Sequence, residues 1–339
     1  MERVRREAYA RTGLLGNPSD IYDGRVIALA LANFRASVAI EPASALEIVP
    51  GADDRLAYPS LREAAAALDA YGCDDGVRLV RAALRKTVEL RGGLGDLASG
   101  DPRLRFRISY ATDVPRQVGF SGSSAIVTAA LRALRDWFGL RLAPAELADA
   151  ALACETEELG ITAGPMDRVI QAYEGLLFMD FAKPRTSASF RRLDPSRLPK
   201  LFVAWNPRGG APSRQLHGDL RARHLRGDTE VRRVIEELAR LADAGLRCLE
   251  SGDGAELLPL IDRSFEVRAR VFPLSDSDRR LVRIAREAGG VAKLCGSGGA
   301  VLGALRDDGA WPRLEAAFAD AGFAAARVRV AAPSDSSAP

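Results

Sequence analysis

The stretch "GFSGSSAIVTAALRAL", Gly119 to Leu134, packs two glycines and three serines into its first six residues, then turns apolar with helical period. Those residue types in that order suit a phosphate group. A helix N-terminus leaves backbone N–H groups unpaired and carries the positive end of the helix dipole. Glycines let the backbone come close to a ligand, and serine hydroxyls add donors and an oxygen that can bind Mg2+. Gly119, Gly122, Ser123 and Ser124 would form such a cradle. The same run also reads as a plain strand-to-helix connection with a serine cap, and it carries neither the GxxxxGK[ST] nor the GxGxxG fingerprint.

Acid–base chemistry has few other sources. His217 and His224 are the chain's imidazoles, and neither sits in a motif that would support Ser-His-Asp catalysis. A carboxylate is the expected general base. Cys73, Cys154, Cys248 and Cys295 lie far apart with no CxxC pair, so a zinc site is not expected. Free thiols suit a reducing, cytoplasmic compartment. The net charge of +3, 48 basic against 45 acidic residues, is too small for a nucleic-acid footprint. No apolar run is long enough to cross a bilayer, so no membrane partner is expected, and the charged start "MERVRREAYARTG" reads as part of the fold.

The elements that must position these residues follow from periodicity. "RVIALALANFRASVAIEP" and "ALEIVP" read as adjacent strands, and "LRFRISYATDVP" as a strand burying Leu104, Phe106, Ile108 and Tyr110. "YPSLREAAAALDAYG" and "GVRLVRAALRKTVELRG" have helical period. After the glycine-serine loop, Val127, Ala130, Leu131, Leu134 and Phe138 line one helical face. "APAELADAALACETEELG" is a further helix, with Pro144 in its first turn and Gly160 past its end. "ITAGPMD" is a loop, "RVIQAYEG" a short helix and "LLFMDF" a strand. A connector spans Lys183 to Pro199, and "KLFVAWNP" opens a second set. Helices follow at about Glu230 to Glu250, Gly254 to Val271 and from Ser275. A strand, "GSGGA", another strand, the "WPRLEAAFADAG" helix and the strand "AARVRVA" complete it. The expectation is an α+β chain of two domains, 1–195 and 196–332, with 333–339 as a tail.

Four ordered segments, "ARTGLLGNPSDIYDGR", "PRQVGFSGSSA", "CETEELGITAGPMDRVIQAYEG" and "KLCGSGGAV", resemble the GHMP kinase superfamily over nearly the whole chain. Within it, "GLLGNPSDIYDGR", "PRQVGFSGSSAIV" and "MDFAK" resemble the glucuronokinases, which use ATP to phosphorylate the anomeric hydroxyl of D-glucuronate. The resemblance implies an N-terminal domain like domain 2 of ribosomal protein S5, a ferredoxin-like C-terminal domain, and an active site between them.

It also implies roles. Asp167 falls at the catalytic aspartate, where a carboxylate can take the proton of the attacking hydroxyl. By residue type alone a helix N-cap is the favoured reading. Arg11 opens the first motif and would keep that base ionised. Pro115, Gly119, Ser121, Gly122, Ser123, Ser124 and Ala125 form the phosphate loop, with Ser124 or Ser123 on Mg2+ beside Glu155, Glu157 or Glu158. Relative to the superfamily, Phe120 replaces Leu and the loop carries one extra residue. Gly296, Ser297 and Gly298 belong to the third, glycine-rich motif, with Cys295 where Thr is common. Asp20 matches an acidic residue that binds sugar hydroxyls. Asn17 and Pro18 stand where sugar kinases have Glu-His, and the Asn17 amide suits a uronate carboxylate or, alternatively, caps the turn into "PSD". Arg168 is a second carboxylate partner. The implied substrates are a small-molecule sugar acid and ATP. Other readings are a heptose-phosphate or galacturonate kinase, and a catalytically silent sugar-binding regulator.

Overall fold

The computed structural model describes residues 2–52, 54, 76–98, 100–184, 189–209 and 220–333. The segment "YPSLREAAAALDAYG" with its predicted helix, Cys73, His217 and the tail residues 334–339 lie outside them.

A long strand organises the first half. β2 (Arg25–Pro42) pairs along nearly its whole length with β1 (Val4–Leu15), which holds the charged N-terminal segment in the sheet. Its other edge is shared in series, by β5 (Leu176–Asp180) against Arg25–Leu29 and by β4 (Phe106–Thr112) against Ala36–Pro42. The second predicted strand, β3 (Glu47–Val49), does not pair with β2. It runs parallel to β4 at the sheet edge. Alternation marks a strand but leaves its neighbour open, and β4 takes the place between them. β6 (Phe190–Arg192) adds an antiparallel strand beside β5, so the predicted connector contributes to the first sheet. The helices α1 (Gly76–Leu90), α2 (Gly122–Phe138), α3 (Pro144–Ala153) and α4 (Met166–Tyr173) belong to this half. On α2, Val127, Ala130, Leu131 and Leu134 are buried, as the period requires, and Phe138 is half-buried. α3 ends in a π-helical turn, Cys154–Glu158, rather than continuing as one α-helix.

The second half is a four-stranded antiparallel sheet in the order β10-β7-β9-β8, from β7 (Leu201–Trp205), β8 (Gly290–Leu294), β9 (Ala300–Leu305) and β10 (Ala324–Arg327). It carries α5 (Thr229–Ser251), α6 (Leu257–Ala269), α7 (Asp276–Glu287) and α8 (Trp311–Asp320). Ser275 caps α7 with a reciprocal bond from Asp278, as the serine there suggests. The chain does not end within this sheet. Beyond β10, Val330 bridges Leu31, and the backbone of Arg329 and Ala331 bonds Ala32 and Ala30 of β2. Among the described residues no helix is long and apolar enough to cross a membrane.

Both halves meet on β1. The Arg11 N–H donates to the Phe120 carbonyl and the Gly13 N–H to the Cys295 carbonyl, each at 3.1 Å. The end of β1 is therefore flanked by the glycine-serine loop on one side and the glycine loop after β8 on the other. Phe120, the residue standing where Leu is usual, is buried against Phe34 of β2 and Trp205 of β7, which pins the loop to both sheets.

Candidate active site

The glycine-serine loop turns into α2 through residues of left-handed backbone. Gly119 has φ +76° and Ser121, not a glycine, φ +62°. Ser121 caps none of the first-turn amides of α2, and its hydroxyl instead donates to Asp167 Oδ2 at 2.9 Å. Gln171 of α4 fixes the turn by donating to the Ser121 carbonyl at 3.0 Å. Pro115 is half-buried at the loop entry, Gly122 opens the helix and Ala125 is fully buried. Ser123 is exposed. Ser124 is buried, and its Oγ has no hydrogen-bond partner. A buried hydroxyl without a partner is rare, so of the two serines Ser124 is the one holding an uncommitted oxygen.

Arg11 grips Asp167 in a two-pronged bond, Nε to Oδ1 and Nη2 to Oδ2, each 2.5 Å. Its Nη1 donates to the Gly119 carbonyl. The N-cap of α4 is Pro165, and Asp167, two residues on, gives its oxygens to Arg11 and Ser121 rather than to helix amides, so the capping alternative does not hold. Burial pushes the Asp167 carboxyl up, but the charges of Arg11 and Arg168 and the bonds from Arg11 and Ser121 outweigh it and hold it down at about 2.

Arg168 is engaged by the protein itself. It is buried, donates to both oxygens of Glu155 and to the Gly164 carbonyl, and lies 3.6 Å from Asp167. Glu155 and Arg168, expected in separate roles on metal and sugar, are thus each other's partners. Of the three glutamates of the π-helical turn, Glu155 alone faces this network. Glu157 and Glu158 reach outward to Lys86 and Arg85 of α1.

Asp20 sits in a short 3-10 turn, Ser19–Tyr22, and accepts the Met166 N–H at 3.2 Å. Burial, and next the Asp167 charge, raise its carboxyl to about 6. Asn17 is buried and caps no turn. Its Oδ1 accepts from Lys293 Nζ at 2.7 Å and its Nδ2 donates weakly to the Cys295 carbonyl at 3.4 Å. Its Oδ1 is committed to the floor of the site, while its Nδ2 makes only that one weak bond. Gly296 is buried, and Ser297 and Gly298 are half-buried. A Cβ on Gly296 would lie 2.5 Å from the Gly119 carbonyl oxygen, and one on Gly119 2.9 Å from that of Gly298, so the two glycine loops touch backbone to backbone.

Lys293 is the residue the motif reading passed over. It is buried in β8, and its Nζ donates to Gly13 O, Asn17 Oδ1 and Leu294 O at 2.7–2.9 Å. Burial pulls it down to about 7. A lysine inside the apolar run "GGVAKLCG" of a lysine-poor chain was the available signal.

Arg11, Asp167, Ser121, Asp20, Arg168 and Glu155 therefore form one array, half-buried at Asp167 and Ser121 and buried elsewhere, placed where the glycine-serine loop, the first motif and the third glycine loop meet. An ionised carboxylate beside a helix N-terminus can serve acceptor deprotonation and phosphoryl transfer. The comparisons agree. The model for the GHMP kinase N-terminal domain matches residues 60–175 and that for the C-terminal domain residues 245–323. Glucuronokinase 1 of Arabidopsis thaliana is 36% identical over 310 residues, covering 88% of this chain and 84% of its own. The fold is shared with Lactococcus lactis galactokinase complexed with galactose (TM-score 0.76, 12% identity, 97% of this chain and 94% of that one). It is also shared with Methanococcus jannaschii mevalonate kinase (TM-score 0.74, 18% identity, 98% and 99%). With both family domains matched in order and a relative that similar along most of its length, the chain belongs to the GHMP kinases, phosphotransferases that take an alcohol group as acceptor.

Proposed function

We propose that this chain transfers the γ-phosphoryl group of ATP to the anomeric hydroxyl of a hexuronate, D-glucuronate, forming D-glucuronate 1-phosphate. One observation carries the reading: the Asp167 carboxylate is held jointly by Arg11 and by Ser121 of the phosphate loop, so a base and a phosphate cradle converge on one point. The glucuronokinase relative supports the choice of acceptor.

Asp167, kept ionised by Arg11, accepts the hydrogen bond of the anomeric hydroxyl and orients its oxygen. A carboxylate held at about 2 is a weak base. It suffices in a loose transition state, where the attacking oxygen becomes acidic only as its bond to phosphorus forms. Arg11 adds positive charge beside the transferred group. The first-turn amides of α2, with Gly119 and Gly122 clearing the approach, hold phosphate oxygens. Asp20 accepts hydrogen bonds from sugar hydroxyls.

The residues present fit Mg2+. Ser124 Oγ is an uncommitted buried oxygen in the first turn of α2, and the Glu155 carboxylate, shared with Arg168, is the acidic oxygen source the motif offers. Among the described residues no cluster of three or more His, Cys, Asp or Glu could hold a metal ion alone, which suits an ion that keeps phosphate and water ligands. Bound there, Mg2+ neutralises charge on the phosphate oxygens.

The test is ATP consumption across glucuronate, galacturonate, glucose, galactose and a heptose phosphate, with the product's phosphate position read by phosphorus NMR. Turnover of glucuronate to an anomeric phosphate is expected. Turnover of a heptose phosphate or a neutral hexose instead would reject the substrate, and no turnover with any sugar would favour a sugar-binding regulator.

A further inference from the structure

Arg268 of α6 is 3% exposed, and its Nε and Nη1 are buried with no hydrogen-bond partner. The other buried arginines all hold a carboxylate: Arg11 pairs with Asp167, Arg132 with Glu174 and Arg168 with Glu155. The Arg268 guanidinium carbon lies 4.6 Å from the centroid of the Phe272 ring. A ring face attracts the charge but does not satisfy N–H groups in the guanidinium plane. One turn earlier on the same helix, Ser264 is fully buried and its Oγ also lacks a partner.

α6 packs on β8 and β1, the strands that carry Lys293 and Arg11, and the Arg268 side chain lies within electrostatic reach of Arg11 and Cys295. The attracting carboxylate nearby, Asp278, is already bonded to the Gly299 N–H at 2.7 Å and to Ser275 at 2.7 Å. Burial pulls the Arg268 guanidinium down to about 10 against the attraction of Asp278. A buried charge left unpaired is unfavourable unless a ligand completes it. The two residues the sequence suggested for a substrate carboxylate already hold protein partners, Arg168 the Glu155 carboxylate and Asn17 the Lys293 ammonium and, weakly, the Cys295 carbonyl.

We propose that Arg268, with Ser264 behind it, is an oxyanion-binding residue of the reaction and receives the carboxylate of the acceptor. The planar guanidinium has donors free to meet a carboxylate or a phosphoryl group side by side, and among the described buried arginines it alone holds no carboxylate of the protein, which favours the carboxylate of the acceptor. This assignment rests on the kinase reading above.

The test uses Arg268→Gln, Arg268→Lys and the apolar Arg268→Met. For each, glucuronate and Mg·ATP affinities are measured separately by calorimetry, with kcat, KM and thermal melts. Glucuronate binding should weaken at least about tenfold in Arg268→Gln and partly recover in Arg268→Lys, with Mg·ATP affinity within about twofold. Arg268→Met should melt at or above the wild-type temperature without ligand, since it removes an unpaired buried charge, a result an arginine of purely structural use would not give. Weakening confined to Mg·ATP, or a fall in kcat alone, would overturn the carboxylate assignment. Wild-type affinities and kcat in any folded variant that lacks the arginine charge, or a lowered melting temperature in Arg268→Met with intact binding, overturn the proposal. Wild-type turnover of glucuronate is measured alongside. If it is absent, the substrate reading fails by itself, and the variants are read on whichever acceptor the wild type phosphorylates.

Discussion

Asp167 and Asp20 lie near one another, and their surroundings move their carboxyls in opposite directions. Burial raises both. At Asp167 two arginines and a serine hydroxyl reverse the effect, to about 2, while at Asp20 the Asp167 charge adds to it, to about 6. Removing the first charge should be felt mostly in chemistry. Asp167→Asn should lower kcat about 10²–10⁴-fold with Mg·ATP affinity nearly unchanged, and a kcat near wild type would reject Asp167 as the base. Asp20 makes a pH prediction. Its folded carboxyl binds a proton where the unfolded one has lost it, so the ligand-free protein gains stability as pH falls from about 6 towards about 4, and ionisation above 6 works against the fold. Asp20→Asn should therefore melt above the wild type at pH 7.5, by up to about 2–3 kcal/mol, with the advantage vanishing near pH 4. Its acceptor KM should rise about tenfold or more. An advantage equal at both pH values would show that Asp20 does not titrate there.

At the scale of elements, the site depends on two loops pressed against one strand. β1 offers one backbone bond to the glycine-serine loop and one to the loop after β8, and those loops touch through Gly119 and Gly296. Gly296→Ala would place a methyl 2.5 Å from a backbone oxygen, so the loops must part. We expect kcat/KM to fall at least about tenfold while the melting temperature drops only modestly, because the clash is local. An unchanged kcat/KM would show that the contact is incidental. Ser124→Ala separates structure from function differently. The hydroxyl has no partner, so its removal should leave the ligand-free melting temperature the same or higher, yet raise the Mg2+ concentration needed for half-maximal rate. An unaltered Mg2+ requirement would take Ser124 out of the metal site.

At the scale of the molecule, the two sheets are joined through a buried lysine and a returning strand. Lys293 reaches from β8 to Gly13 and Asn17, and residues 329–331 bond back onto β2. The Lys293 ammonium is held at about 7, below its usual value of 10.5, so between those values the unfolded chain binds a proton that the folded one does not. Stability from this group rises with pH across that window and is lowest below about 7. Compared with Lys293→Met, the wild type should therefore gain about 1 kcal/mol or more between pH 7 and pH 10, read from paired thermal melts. A pH-independent difference would mean the ammonium stays charged throughout.

Most elements and the order of the four motifs were legible in the sequence, because they depend on neighbouring residues. A period of two or of 3.6 shows within a few positions, and so do a capping serine at Ser275 and glycines ahead of a helix. Sequence determined that this chain carries a glycine-serine loop, an arginine and an aspartate in the order the GHMP kinase motifs require. Tertiary structure decided which groups are free to act. The Arg11–Asp167 bond spans 156 positions and the Lys293–Asn17 bond 276, and no local pattern encodes either. The same holds for the β3–β4 pairing, for Arg168 being taken up by Glu155, and for Arg268 left without a carboxylate. Residue type fixes what a side chain can donate or accept. Burial and the nearest charge, both products of packing, decide whether that capacity is already spent.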